Sequence, residues 1–281
     1  MSIRIDEQRR TVRPYSENRL LFPAIIPGYH ILTIIVAREY CAHINNKLSS
    51  HIRSKAVINS MALNLDSVHR ISEEKSPDMN KLYYVYDPMC SWCWGFKPTW
   101  EKIEQALSGD IEIVYLLGGL APDSDQPMPI AMQKQIAAYW HKIETLLGTE
   151  FNHEFWTLNT PRRATYPACR AILAARAQQA ESLMLNAIQK AYYLQARNPS
   201  DNPVLIDLAD TLGLDKTKFS ADLQHDTTQE ALLAEIQFAR SIGGNSFPSL
   251  FVQTATGITP IPIDYQNAGT CIDQIKQANT N

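Results

Sequence analysis

Two cysteines two residues apart, Cys90-Ser91-Trp92-Cys93, stand where one kind of secondary structure gives way to another. Ahead of them runs Leu82-Tyr83-Tyr84-Val85-Tyr86, short, aromatic and branched, ended by Asp87-Pro88. That pattern predicts a buried strand that stops just before the first thiol. Behind the pair, residues 96–107 read as helix. With Cys90 at the first turn of that helix, its sulfur faces backbone N–H groups without intrahelical partners and the positive end of the macrodipole, a setting that favours thiolate over thiol. Cys93, one turn on, lies on the same side and can close a disulfide or resolve a mixed one. The expected roles are nucleophile for Cys90 and resolving thiol for Cys93.

A zinc site would need four ligands, yet Cys41, Cys169 and Cys271 are isolated and no second CxxC or histidine pair stands near. No metal is therefore expected, and chemistry carried by the two thiols implies no organic cofactor. An inert buried pair would not explain why the spacing falls at a strand-to-helix junction.

The run Asp87-Pro88-Met89-Cys90-Ser91-Trp92-Cys93-Trp94-Gly95-Phe96 resembles the active site of the DsbA-like thioredoxin-fold family, in particular its FrnE-like, disulfide-isomerase branch. The similarity extends from about Met79 to the C-terminus. It implies an α/β thioredoxin fold, βαβ followed by ββα, interrupted by an all-helical insertion. Residues 79–120 and 245–281 would form the thioredoxin part and 121–244 the insertion.

At 281 residues, 45% hydrophobic and 20% charged, the chain can bury one or two cores. Its net charge of -3 comes with no clustered basic patch, so nucleic acid is not an expected partner. Residues 1–78 carry 11 Lys+Arg against 8 Asp+Glu, and the remainder 15 against 21, a net -6. All five tryptophans and ten of the eleven glycines lie in that remainder, which is where a core is expected. Residues 20–37 are apolar but contain Pro23, Pro27, Gly28 and His30, against a membrane-spanning helix, and Arg38-Glu39-Tyr40-Cys41 is a poor cleavage site for a signal peptide. A loose helix over residues 40–70, with Ile44, Leu48, Ile52 and Ala56 in step, has no other support. The expectation for residues 1–78 is a poorly ordered extension or a mis-assigned start, with no membrane association. The cytosol is the expected compartment, the periplasm or secretion the alternative.

Beyond the motif, Pro98 would kink its helix, a usual feature in the resembling family. Ile111-Glu112-Ile113-Val114-Tyr115-Leu116-Leu117, ended by Gly118-Gly119, predicts a second strand parallel to the first across the helix. Then follow helical patterns: a stripe of Ile136, Trp140, Ile143 and Leu147; a helix opened by Tyr166-Pro167; residues 181–195; a helix from Asn202-Pro203 to Gly213; and one with a Thr227/Glu230 capping box ending at Gly243-Gly244. In Asn245-Ser246-Phe247-Pro248 before Ser249-Leu250-Phe251-Val252, the resemblance implies that Pro248 is the cis-proline beside the CxxC. The Phe247 backbone would then pair with an extended substrate, and Phe247, Pro248, Ser91 and Trp92 are the expected substrate-binding residues. A short strand near residues 257–262 and a helix over about 264–278 close the chain.

Three departures from the family pattern stand out. No acid lies on the first strand beneath Cys93, and the nearest, Asp87, is placed to cap the helix; Ser91-Trp92 carries no charge to hold a thiolate; Phe247 is bulky for its position. A weaker oxidant than DsbA is expected. Cys169 and Cys271 read as small core residues, and His141 and His153, which have no partner spacing, as surface or satisfied core residues. Trp92, Trp94 and Phe96 read either as an apolar rim for substrates or as packing between lobes.

The resemblance thus implies a thiol-disulfide oxidoreductase, a reductase or isomerase of protein disulfides, with thiol- or disulfide-bearing proteins and a reducing or oxidising redox partner as its associates. Two rivals stand beside it. Glutathione-dependent transferases or isomerases share the fold but generally lack the intact CxxC; a peptide-binding adaptor would keep the groove and use the thiols as a redox sensor.

Overall fold

In the first strand, residues alternate between two faces, and both faces are buried. The computed structural model describes residues 80–280, and the expectations for residues 1–78 lie outside that range. Strand β1 (Lys81–Tyr86) sends Leu82, Tyr84 and Tyr86 into the larger core and Tyr83 and Val85 into a smaller one. Such period-two burial on both sides requires a strand in the middle of a sheet with cover above and below.

That is where β1 lies. The sheet runs β2-β1-β3-β4, with β2 (Glu112–Leu117) parallel to β1, and β3 (Ser249–Thr254) and β4 (Gly257–Ile261) completing it antiparallel. Tyr84 aligns with Tyr115 on one side and Leu250 on the other. Between β1 and β2 the chain crosses over through α1 (Ser91–Leu107), which starts a turn earlier than the sequence pattern suggests and holds Pro98 inside it. Trp100 of α1 stacks on Tyr84 with ring centroids 4.2 Å apart and donates from Nε1 to the Tyr115 hydroxyl at 2.8 Å. The C-terminal helix α9 (Ala268–Thr280) packs beside α1 and on β3 and β4. The α/β thioredoxin fold is thereby established, with helices accumulated between β2 and β3.

Those helices are α2 (Ile130–Leu147), the short α3 (Phe155–Leu158), α4 (Tyr166–Arg176), α5 (Glu181–Tyr193), α6 (Asn202–Thr211), α7 (Lys216–Leu223) and α8 (Asp226–Ser241). The apolar stripe of α2 buries Trp140 and Ile143, and Trp140 is ringed by Phe151, Phe155, Trp156, Tyr192 and Tyr193. α8 leaves that company: its Ala239 is buried with Tyr83, Val85 and Phe251, and Phe238 meets Tyr83 edge-on at 5.3 Å, so it covers the second face of the sheet. The expected Thr227/Glu230 capping box does not form. His225 is the N-cap, its ring accepting from the Thr227 N–H, because the helix begins earlier, at Asp226. Among the described residues no helix is long and apolar enough to cross a membrane.

The motif helix and α2 touch at Gly95. A Cβ there would lie 2.8 Å from Ile143 Cγ2 and 3.0 Å from Leu147 Cδ1. Two effects of a Gly95→Ala substitution therefore oppose each other. Helix propensity gains about 1 kcal/mol, while overpacking against a stiff branched side chain costs roughly 1 to 3 kcal/mol. The expected net result in urea denaturation is a loss of stability, and a more stable variant would show that α2 does not press on the motif helix.

Candidate active site

The turn that leads into the dithiol is built by Asp87, which is fully buried at 0% exposure. Its carboxylate accepts from the Met89 N–H at 2.8 Å, the Leu120 N–H at 2.7 Å, the Thr165 hydroxyl at 2.7 Å and the Cys169 thiol at 3.6 Å. Burial pushes its pKa up, and the four donors oppose that rise. The expectation that Asp87 caps the helix is corrected here. Its donors lie in its own turn, in the segment after β2 and on α4, so it joins three parts of the chain. Cys169 is a donor to this group as well as a buried residue, and burial beside Asp87 raises its pKa well above the usual thiol range.

Cys90 is the N-cap of α1, with φ -80 and ψ 114, and its side chain makes no capping hydrogen bond. The sulfur thus stands at the end of the helix where the first N–H groups are free. It points across to the loop before β3, donating to the Phe247 carbonyl oxygen at 3.6 Å, and the Phe247–Pro248 peptide is cis. Cys90 is 7% exposed and Cys93 1%. Burial, first of all, and then a hydrogen bond with Cys90 push the Cys93 thiol well above its ordinary range. The two sulfurs are thus within hydrogen-bond reach, and Cys93 is the more deeply buried of the two.

Phe247 is held from two sides. Its ring packs so closely on Gly118 that a Cβ there would lie 1.8 Å from the ring, and the Arg240 guanidinium sits 5.1 Å from the ring centroid. Arg240 also donates to the Gly118 carbonyl at 3.0 Å and to that of Gly244. One cation therefore joins the end of α8, the end of β2 and the proline loop. The bulk of Phe247 is accommodated by the missing side chain of Gly118.

Ser91 and Trp92 line a cleft of about 240 Å³ with Cys90 and Phe247. The Trp92 ring meets Tyr265 edge-on at 5.3 Å, Trp94 stacks on Tyr193 at 5.5 Å and donates to the Glu150 carbonyl, and Phe96 is fully buried. Packing between parts of the protein therefore accounts for Trp94 and Phe96. Sequence reasoning missed Arg162, Arg163, Met128, Tyr139 and Tyr192, which complete the cleft. Their one signal was a pair of arginines just ahead of a helix, too common a pattern to point anywhere. Cys93 instead borders a separate cavity of about 530 Å³ together with Lys97, Glu101, Glu104, Arg176 and Glu181.

His141 and His153, which no sequence spacing connects, are stacked 4.1 Å apart and share the Glu144 carboxylate, at 3.0 Å and 2.9 Å. Among the described residues these three are the group whose donor atoms could meet a metal ion, all lying within 4.8 Å of one another. None of them lines either cavity that reaches a thiol.

A parallel βαβ unit carrying a dithiol at the start of its helix, closed by an antiparallel ββα, defines a protein of the thioredoxin fold. A family model described as Thioredoxin matches residues 83–258, and the chain belongs to that family. A candidate protein disulfide isomerase from Nitrosomonas europaea superposes with a TM-score of 0.63 at 28% identity, covering 71% of this chain and 97% of that one. The cytosolic disulfide reductase DsbM from Pseudomonas aeruginosa shares the fold, with a TM-score of 0.56 at 23% identity over 71% of this chain and 95% of its own. The ClpXP adapter protein SpxH of Halalkalibacterium halodurans is 25% identical over 191 residues, 66% of this chain and 62% of the relative. SpxH of Bacillus subtilis is 25% identical over 174 residues, 60% of this chain and 57% of the relative. The chain spans less than two thirds of the length of these curated relatives.

The contrast between the thiols predicts an order of alkylation. Iodoacetamide applied briefly to the reduced native protein near neutral pH is expected to modify Cys90 first and leave Cys93 and Cys169 unmodified until the protein unfolds. Peptide mass spectrometry reads the order, and modification of Cys93 ahead of Cys90 would reverse the assigned roles.

Proposed function

We propose that the protein is a thiol-disulfide oxidoreductase that reduces or isomerises protein disulfides, with Cys90 as nucleophile and Cys93 as resolving thiol. The observation that carries this reading is the Cys90 sulfur at the N-cap of α1, 3.6 Å from the Phe247 carbonyl, with Cys93 in contact behind it. As thiolate, Cys90 attacks one sulfur of a substrate disulfide. The substrate S–S bond breaks, a Cys90–substrate S–S bond forms, and the expelled thiolate takes up a proton. Cys93 then gives up its proton and attacks the Cys90 sulfur, closing the Cys90–Cys93 bond and releasing the second substrate thiol. Two electrons have passed to the substrate, and an external dithiol reductant restores the enzyme. In isomerisation the mixed disulfide is instead attacked by another substrate thiol, and Cys93 is not oxidised.

Phe247 and Pro248 offer backbone to an extended substrate beside Cys90, and Ser91 and Trp92 form the opposite wall. The uncharged Ser91-Trp92 pair adds no charge that would hold the thiolate, which supports reduction or isomerisation over strong net oxidation. A cytosolic setting, where thiols stay reduced, goes with that direction. The Cys90/Cys93 couple is accordingly expected below about -180 mV. A redox titration that placed it near DsbA's value, about -120 mV, would overturn both the direction and the compartment.

A second reading is favoured by the curated relatives, which are named as ClpXP adapters. In it the cleft binds a protein partner and the thiols report redox state. The two readings part at the cysteines. Cys90→Ser should abolish turnover of insulin disulfides with dithiothreitol as reductant, and Cys93→Ser should accumulate a Cys90–substrate mixed disulfide. Full turnover by Cys90→Ser would end the enzymatic reading. A Cys90→Ser, Cys93→Ser double variant that still supports ClpXP-dependent degradation of a bound partner would favour the adapter.

A further inference from the structure

The cleft at Cys90 differs in charge from the net acidic body formed by residues 79–281. Residues 79–281 carry 15 Lys+Arg against 21 Asp+Glu, yet the walls of this cleft hold two arginines and no acid. The other cavity, at Cys93, sets three glutamates against Lys97 and Arg176. The net acidity of the body thus stops at the mouth of the site where the nucleophile stands.

The two arginines are not equivalent. Arg162 is committed to the structure, donating at 2.6 Å both to the Ser200 carbonyl and to the Asp201 carboxylate. Arg163 has no hydrogen bond or ion pair with any described residue, although the other five arginines of the described chain each have at least one. It is half-buried, and it shares its cleft with Met128, Ile136, Tyr139 and Tyr192. A guanidinium held in largely apolar surroundings gains most from a planar anion that can accept two parallel N–H bonds. Carboxylate is the group of that shape that disulfide-bearing molecules commonly carry. At about 240 Å³ the cleft accommodates a small disulfide or a few residues of extended chain.

We infer that Arg163 selects substrates whose disulfide lies beside a carboxylate, receiving that carboxylate while Cys90 attacks the adjacent sulfur. The inference deepens the oxidoreductase reading and rests on it. The bonds made and broken are those of the first thiol-disulfide exchange: Arg163 donates hydrogen bonds and transfers nothing, and the electrons come from the Cys90/Cys93 dithiol.

The test is single-turnover oxidation of the pre-reduced full-length protein, quenched by alkylation and followed by mass spectrometry. Three small disulfides serve as probes: oxidised glutathione (anionic), hydroxyethyl disulfide (neutral) and cystamine (cationic). The wild type is expected to react fastest with glutathione disulfide. In Arg163→Ala the ratio of the anionic to the neutral rate should fall about tenfold, the scale of one charge-assisted contact. Arg163→Lys, which keeps the charge but loses the fork, should fall between, and thermal melting confirms that each variant is folded. A pair of cystine-bridged peptides with Asp or Asn next to the bridge identifies the source of the carboxylate. The class whose rate depends on Arg163 is the substrate, and dependence in neither class overturns the inference. So does equal slowing of the anionic and neutral probes, or a wild type indifferent to charge, while the dithiol chemistry stands. A wild type that no disulfide oxidises would instead remove the reading beneath it.

Discussion

Four donors converge on the Asp87 carboxylate, and the geometry around the dithiol follows from that convergence. Moving a carboxylate out of water is costly, and a buried one without partners would simply take up a proton. Here the donors come from the turn before Cys90, from the segment after β2 and from α4, so that satisfying the charge also fixes those three segments in relation to one another. Thr165 extends the junction by donating to Asp87 while accepting from the Ala121 N–H at 3.1 Å. A buried polar network of this kind stabilises little if half-made and specifies one arrangement when complete.

A second polar junction works at the end of the edge strand β2. Arg176 of α4 pairs with Glu181 and with Glu235 of α8, and Glu235 accepts from the Leu117 N–H at 3.0 Å. The helix that covers the second face is thereby joined to both β2 and the neighbouring helices. Arg240 at its far end then sets the proline loop over Cys90 through Phe247 and Gly118. Cys90 and the loop that faces it belong to widely separated parts of the chain, and α8 is what brings the loop into register with the thiol.

Much of this was legible in local pattern. The strand, the CxxC and the motif helix follow from alternation and punctuation within some thirty residues, and β2, β3 and the helices between them follow from periods of two and 3.6. Where the local reading failed, some causes were local and some were not. The Thr227/Glu230 pattern suited a capping box, but His225 took the cap because α8 starts at Asp226. Asp87 beside a helix start suited a cap, but donors far off in the sequence offered it a better-satisfied burial site. His141 and His153 lacked any spacing rule because the link between them is a shared carboxylate, Glu144.

The sequence by itself determined the order of elements, the place of the thiols at a helix start and the membership of both faces of β1 in a core. Each of these depends on residues within a turn or two of one another, where backbone geometry leaves little choice. Tertiary structure alone decided that Cys90 and Cys93 border different cavities, that α8 crosses to the second face of the sheet, and that an Arg163 without a partner among the described residues stands in the wall beside Cys90. Those facts depend on which distant groups meet, and such meetings are set by packing and charge satisfaction across the whole fold, which no local stretch of residues encodes.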